Sequence, residues 1–306
     1  MSCILCEKKK FKIISTIDSK NNSFLKIVFC NSCGMVQQDP IPSDDDVNNY
    51  YSNDYRNDYK KTYIPKKKHV YRAGNLGLDR INFLKSRGVN KGRLLDVGAG
   101  GGEFTYLSSK LGFTSQGIEP NIGYSNYARE EYGINIATGQ LSDVNDENFD
   151  VITMFHALEH IPDPVKTFGL LFELLQKDGF LLIEVPNIET NDASPKNIYF
   201  KAHIHYFSAA TLVCAASKYF EKIDIVSDSN LRILFKRKKT PGVVIFPSPT
   251  EVHRIAKRLK NKGWLEYIFK GSGYKKLPLR LGKIFIESQL SNERGVKILN
   301  GIIKNY

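Results

Sequence analysis

No stretch of the chain is apolar for long enough to cross a membrane. Apolar runs are short, such as the four residues at 180–183 and at 243–246, against the roughly 20 that a spanning helix needs. A secretory leader is lacking as well. Cys3 and Cys6 occupy the place of its apolar region, and the basic run at residues 8–10 follows that place instead of preceding it. The chain therefore reads as soluble and cytoplasmic. Internal repeats and low-complexity blocks are absent, and aromatic residues make up 11% of the sequence, which excludes a disordered protein. Acidic residues fall short of basic ones, 32 against 44, a formal net charge of +12. Much of that surplus lies from Pro241 onward, with thirteen Lys or Arg against four Asp or Glu. Such a surplus suits nucleic acid, a membrane surface or an anionic substrate, and equally a plain solvated face.

What is present is enough for one substantial core and a small accessory unit: 306 residues, 42% of them hydrophobic. The sequence divides into residues 1–42, holding four of the five cysteines; 43–68, rich in Asp, Asn and Tyr and read as a linker that folds over a site; 69–239; and a basic extension, 240–306. Within 69–239, apolar runs alternate with helical patterns. Strands are expected at 93–97, 114–118, 134–138, 151–155 and 180–185, and helices at 104–111, 122–132 and 164–175. An antiparallel hairpin is expected over 222–226 and 231–236. The alternation predicts parallel βαβ units, hence an α/β protein.

Cys3-x-x-Cys6 and Cys30-x-x-Cys33 form two knuckles, each able to aim two thiolates at one ion. Together they complete a tetrahedral site. All four positions are filled by protein, so the expected zinc is structural. Gly34, after the second knuckle, supplies a permissive backbone. Cys214 sits on a helical pattern and reads as a small buried apolar residue.

The run Leu94-Leu95-Asp96-Val97-Gly98-Ala99-Gly100-Gly101-Gly102-Glu103-Phe104 is a strand, a glycine turn and a helix start. A dinucleotide fingerprint counted from Gly98 would end on Glu103, which spoils helix–strand packing and repels a pyrophosphate. Asp96 suits a cationic ligand. Glu119, at the end of the next strand, can accept bonds from both hydroxyls of a ribose.

These residues resemble motif I of class I S-adenosylmethionine-dependent methyltransferases, an acidic residue followed after one position by GxGxG. Residues 149–152 resemble the family's fourth strand, and 176–183 its entry into the fifth, with Asp178 where glycine is usual. The resemblance implies a Rossmann-like, doubly wound sheet. It implies S-adenosylmethionine bound by Asp96, Gly98, Ala99, Gly100, Gly102, Phe104, Glu119 and Phe155, with Gln140 and Leu141 lining the adenine. With the cysteine pairs, the expected architecture adds a small N-terminal zinc-ribbon-like module and a basic C-terminal extension.

After the fourth strand come His156, Glu159, His160 and Asp163-Pro164. The first three can be read as ligands of a divalent ion or as groups that cap a helix and bond neighbouring loops. Further on, Pro186-Asn187 and His203-x-His205-Tyr206-Phe207-Ser208 resemble methyltransferases of bacterial sugar and glycan pathways, several of which carry a four-cysteine zinc module. By that resemblance His203 is the general base, with His205 beside it. Two residues apart on an extended segment, the two would share a face. Ala202 stands where the C-methylating relatives have Glu, which turns the expectation to O-methylation. The expected acceptor is a small molecule or glycan, anionic if nucleotide-linked. An RNA methyltransferase and a non-catalytic scaffold are the rival readings. Asp96 and Glu119 count against the scaffold, and the sparse aromatics of the extension count against RNA.

Overall fold

The computed structural model describes residues 2–49, 65–271, 273, 293–304 and 306. Tyr50, Tyr51, Tyr55, Tyr59 and Tyr63 of the expected linker lie outside the described residues. The strands are β1 (Phe11–Ile17), β2 (Phe24–Cys30), β3 (Val36–Gln38), β4 (Gly92–Val97), β5 (Phe113–Glu119), β6 (Ile136–Thr138), β7 (Phe149–Phe155), β8 (Leu175–Pro186), β9 (His205–Tyr206), β10 (Phe220–Ser227) and β11 (Asn230–Arg237). The helices that matter below are α1 (Lys67–Lys85), α2 (Glu103–Lys110), α3 (Ile122–Tyr132), α4 (Pro164–Leu174), α5 (Ala209–Ala216), α6 (Pro249–Lys260), α7 (Trp264–Phe269) and α8 (Gly295–Lys304).

A seven-stranded sheet runs β10-β11-β8-β7-β4-β5-β6. Pairings β4–β5, β4–β7 and β5–β6 are parallel, and β10–β11 is antiparallel, so the sheet is mixed. The sheet is the expected Rossmann-like α/β arrangement. Most of its strands are longer than the apolar runs suggested, because ladder bonds extend past the hydrophobic residues, whereas β6 covers only the last three of the five residues expected at 134–138. At the entry to β8, Asp178 has φ +67°, the left-handed region that Asp tolerates better than most side chains. The missing glycine of the sequence pattern is thus replaced by a residue that fits the same backbone.

The chain sorts into two compact units. One gathers Tyr51–Phe155, Leu174–Phe180 and Pro278–Tyr306. Here α1 buries Val70, Gly74, Gly77, Ile81 and Leu84 at helical spacing. Gly74 admits α8: a Cβ there would lie 2.6 Å from Ile302 Cδ1 and 2.7 Å from Leu299 Cδ2. The end of the basic extension is therefore part of a core.

The other unit gathers Met1–Tyr50, His156–Glu173 and Leu181–Leu277. Its own sheet runs β1-β2-β3-β9. The N-terminal meander takes its fourth strand from the HxHYFS segment, pairing Val36 with Tyr206 and Gln37 with His205. Ile27, Phe29, Val36, Ile188 and Tyr206 bury against Val252 and Ile255 of α6. Asp163 caps α4, accepting from the backbone N of Lys166 at 2.8 Å. Cys214 is buried on α5, as its apolar surroundings in the sequence suggested.

Phe168 of α4 is fully buried, with ring centroids 6.0 Å from Phe220 and 6.3 Å from Phe235. Phe168→Ala leaves a void between helix and hairpin, with an expected loss of about 3–5 kcal/mol. Urea denaturation of the variant beside the wild type measures it, and a loss under about 1 kcal/mol would contradict this packing.

Candidate functional site

The glycine loop follows β4 directly. Each of its glycines answers a separate demand. Gly98 and Gly100 have φ +71° and +56°. At Gly102, φ is +83° and a Cβ would lie 2.7 Å from Ala128 Cβ of α3, so this position serves helix packing. A Cβ at Gly100 would meet nothing within 4 Å, which leaves one face of this backbone open to close approach. Glu119 closes the loop from β5: its Oε2 accepts from the N of Gly100 at 2.8 Å and its Oε1 from the N of Asn121 at 2.9 Å. Gly139 N donates to the carbonyl of Glu119 at 3.2 Å, and this sets the exposed Gln140 and half-buried Leu141 after β6. Phe104 and Phe155 meet edge to face at 4.8 Å. The structure thus brings together Asp96, Gly98, Ala99, Gly100, Gly102, Phe104, Glu119 and Phe155.

Asp96 is buried and accepts from Thr105 Oγ1 at 2.9 Å and Thr153 Oγ1 at 2.8 Å. Burial pushes its carboxyl up to about 6, against the opposing pull of the two hydroxyls and of Arg80. Arg80 escaped the sequence reading. It lies on the buried side of α1 with its guanidinium 4.0 Å over the ring of Phe155. The available signal was a charged residue in register with Gly77, Ile81 and Leu84 on the apolar stripe.

A second constellation lies in the other unit. Glu159 is 1% exposed, and neither carboxylate oxygen has a hydrogen-bond partner. Three imidazoles converge on its Oε1: His156 Nδ1 at 3.6 Å, His160 Nε2 at 3.8 Å and His203 Nε2 at 3.9 Å. Burial works to raise the Glu159 carboxyl, but His156, then His160 and His203, bring it down to about 2. His203 is pushed down to about 3 by burial, against Glu159. Its ring lies 4.1 Å from that of Phe200. Ligand atoms of Glu159, His160 and His203 all fall within 4.8 Å of one another, a carboxylate–imidazole set that could hold a divalent ion. His156, at φ +52°, faces two acids, with Nε2 3.3 Å from Glu184 Oε1. Arg232 Nε donates to Glu184 Oε2 at 2.6 Å. The order Glu159, Glu184, Arg232 is scattered along the chain, and sequence reading named only the first.

His205 does not share the surroundings of His203. The chain turns at His203, whose N donates to the carbonyl of Phe200 at 3.0 Å, and β9 begins only at His205. His205 is fully buried, its Nε2 3.0 Å from the carbonyl of Pro162, and burial pushes it down to about 4. The shared face expected of an extended segment gives way to that turn.

Cys3, Cys6, Cys30 and Cys33 converge. Their Sγ atoms all lie within 4.8 Å of one another, with Cys3–Cys33 at 3.5 Å and Cys6–Cys30 at 3.6 Å. A tetrahedron of thiolates about 2.3 Å from one ion has edges of roughly 3.8 Å, so the donor set fits zinc in kind, number and spacing. Gly34, at φ +79°, donates its N to the Cys30 carbonyl at 2.9 Å, closing the second knuckle.

The raised Asp96 carboxyl makes a testable difference. A buried acid whose folded pKa lies above its unfolded value contributes stability below the unfolded value, and loses it as pH rises through the folded one. For Asp96 that window runs from the ordinary 3.8 to about 6. Asp96→Asn should therefore gain on the wild type by up to about 3 kcal/mol between pH 4 and pH 7. Urea midpoints of both proteins across that range measure the gain; a constant difference would contradict it.

A family model described as a methyltransferase domain matches residues 69–225. Ubiquinone biosynthesis O-methyltransferase of Actinobacillus pleuropneumoniae is 33% identical over 133 residues, 39% of this chain and 56% of that protein. The protein of the same name from Pseudomonas fluorescens is 30% identical over 117 residues, 35% of this chain and 50% of its own. The chain thus spans about half the length of the curated relatives it matches. Among solved structures, magnesium protoporphyrin IX methyltransferase from Synechocystis has a TM-score of 0.49 at 13% identity, covering 64% of this chain and 100% of its own. A methyltransferase from Aquifex aeolicus has a TM-score of 0.45 at 17% identity, covering 57% and 100%. With more than half of its length matched by the family model, the chain belongs to the methyltransferase-domain family, on the class I S-adenosylmethionine-dependent methyltransferase fold.

Proposed function

We propose that the chain is an enzyme that transfers a methyl group from S-adenosylmethionine to a hydroxyl of a sugar-containing acceptor, a nucleotide-sugar or glycan intermediate. The observation that carries the cofactor side is the open backbone at Gly100, held by Glu119 beside a buried acid. In this reading Glu119 takes the ribose hydroxyls, Gly98, Ala99 and Gly100 admit the ligand, Phe104 and Phe155 wall it, and Gln140 and Leu141 lie along the adenine. Asp96 supplies negative charge for a cationic ligand. The bound cofactor supplies an electrophilic methyl carbon on a sulfonium. The acceptor oxygen would form its bond to that carbon as the C–S bond gave its electron pair to sulfur. A hydroxyl needs a base as that bond forms. His203 Nε2 is the proposed acceptor of its proton: burial keeps the ring neutral at pH 7, and Glu159 faces it at 3.9 Å. His205, fully buried with its Nε2 on the Pro162 carbonyl, lies in other surroundings and is given no part in the transfer. The names of the curated relatives favour a second reading, an acceptor of the ubiquinone pathway. Both readings are O-methylations.

The segments follow as residues 1–42 for metal, 43–68 for closure, 69–239 for methyl transfer and 240–306 as a basic extension. Labelled S-adenosylmethionine offered with separate pools of nucleotide-sugars, ubiquinone precursors and RNA decides the acceptor. Label in the first pool is expected; label only in RNA would overturn the reading. His203→Ala should slow single-turnover transfer by about 10²–10⁴-fold while leaving cofactor affinity within twofold. Wild-type turnover would move the base elsewhere. Glu119→Ala should instead weaken cofactor binding by roughly 10- to 100-fold, read by calorimetry.

We assign the four-cysteine cluster to one structural zinc ion. Cys3, Cys6, Cys30 and Cys33 would hold it, and it would cross-link the two knuckles. Metal analysis of the purified chain should give about one equivalent. Cys30→Ala or Cys33→Ala should lose it and lower the unfolding midpoint. A metal-free chain with unchanged stability would overturn the assignment.

A further inference from the structure

Among the described residues, helix α7 carries the largest group of exposed large apolar side chains on the basic extension. Trp264 is 49% exposed, Leu265 75%, Ile268 38% and Phe269 75%. These positions, i, i+1, i+4 and i+5, span an arc of roughly 140° at 100° per residue, one face of the helix. The other side of the helix is fixed. Glu266 Oε2 accepts from Arg258 Nη1 at 2.7 Å. Arg258 also donates through Nε to the carbonyl of Glu189 at 2.7 Å and through Nη2 to that of Thr190 at 3.0 Å. The apolar face is therefore presented by a held helix.

Its surroundings are cationic. Between residues 254 and 270 the sequence has six Lys or Arg and a single acid, Glu266, which Arg258 already engages. Lys257, Lys260 and Lys270 are exposed. No helix of the described residues is long and apolar enough to cross a membrane. Four side chains fall well short of the roughly 20–30 residues a side of a standard protein interface. They are sufficient for shallow insertion at a headgroup boundary, where Trp, Phe and Leu on one face with Lys around it are the pattern of an interfacial helix.

We propose that α7 docks the protein on an anionic lipid surface, with Trp264, Leu265, Ile268 and Phe269 entering the headgroup region and Lys257, Lys260 and Lys270 meeting lipid phosphates. Apolar burial and charge attraction act together, because either alone gives weak, reversible binding. The inference stands apart from the acceptor: it needs no methyl transfer to be tested.

The full chain reports on itself, since Trp264 is its single tryptophan. It is mixed with vesicles of phosphatidylcholine alone, or of phosphatidylcholine with phosphatidylglycerol, at low and high salt. Sedimentation with the anionic vesicles, a blue shift of the Trp264 emission, and loss of both at high salt are expected. Leu265→Asp with Phe269→Asp should reduce partitioning by at least roughly tenfold. Lys257→Gln, Lys260→Gln and Lys270→Gln together should reduce it by roughly 100-fold, and these surface changes leave the helix face intact. Three results would overturn the proposal: no binding to anionic vesicles at low salt, equal binding by wild type and both variants, or an unchanged emission on binding. Self-association that Leu265→Asp abolishes, without vesicle binding, would assign the face to a second copy instead.

Discussion

Two adjacent glutamines on β3 face opposite ways, and much of the histidine-bearing unit hangs on them. Gln37 Oε1 accepts from the backbone N of Ile4, inside the first cysteine knuckle, at 3.1 Å. Gln38 Nε2 donates to the carbonyls of Lys201 and His203, both at 2.8 Å. Both side chains are buried, and Gln37 Nε2 has no partner there, so the bond its Oε1 accepts is the one that offsets part of the cost of burying its amide. Strand alternation is what sends one amide toward the cysteines and the next toward the histidine turn. The backbone repeats the link, for Gln38 N donates to the carbonyl of Ile204 at 2.9 Å. Order at the four cysteines is in this way transmitted through one short strand to the turn that holds His203. A metal held at the four cysteines would be linked to the histidines through bonds of this unit, with no direct contact required.

Two buried carboxylates show how partners rather than depth set charge. Asp96 and Glu159 are both nearly inaccessible, at 2% and 1% exposure. Asp96 has two hydroxyl donors, and burial still wins, pushing it up to about 6. Glu159 has three imidazoles facing it, and they overcome the same burial penalty, taking it down to about 2. Hydroxyl dipoles only partly replace the water that a carboxylate loses, whereas ionisable rings can return a full opposite charge. A cationic ligand is the natural complement of the first arrangement. The second already contains its complement.

The parallel strands, the glycine loop and the cysteine knuckles were legible in the sequence because each depends on local rules: apolar runs, φ above zero, and thiolate spacing. Gly98, Gly100 and Gly102 could be named together, yet their separate reasons could not. Gly102 is fixed by Ala128, 26 positions further along the chain and on another helix. The fourth strand of the N-terminal sheet was not legible. His205 and Tyr206 form only two ladder positions, too short for any period, and their partner lies at the far end of the sequence. Arg80, Glu184 and Arg232 were equally hidden. A buried charge shows its purpose only when its partner is in space beside it, and nothing in the spacing of these three residues predicts that.

The histidine cluster has a further consequence that follows from order of ionisation. His203 stays neutral down to about pH 3 because burial penalises its cation, while Glu159 remains ionised down to about 2. At neutral pH an uncharged His203 ring therefore faces an ionised Glu159. In the proposed transfer, an imidazolium formed at His203 would face that charge at 3.9 Å. His160 is held in place by its own bond, with Nδ1 2.6 Å from the carbonyl of Ala202. The Ala at 202 leaves that carbonyl as the relevant group: what this position contributes is a backbone acceptor that fixes the neighbouring ring, and the carboxylate comes from Glu159 on a different segment.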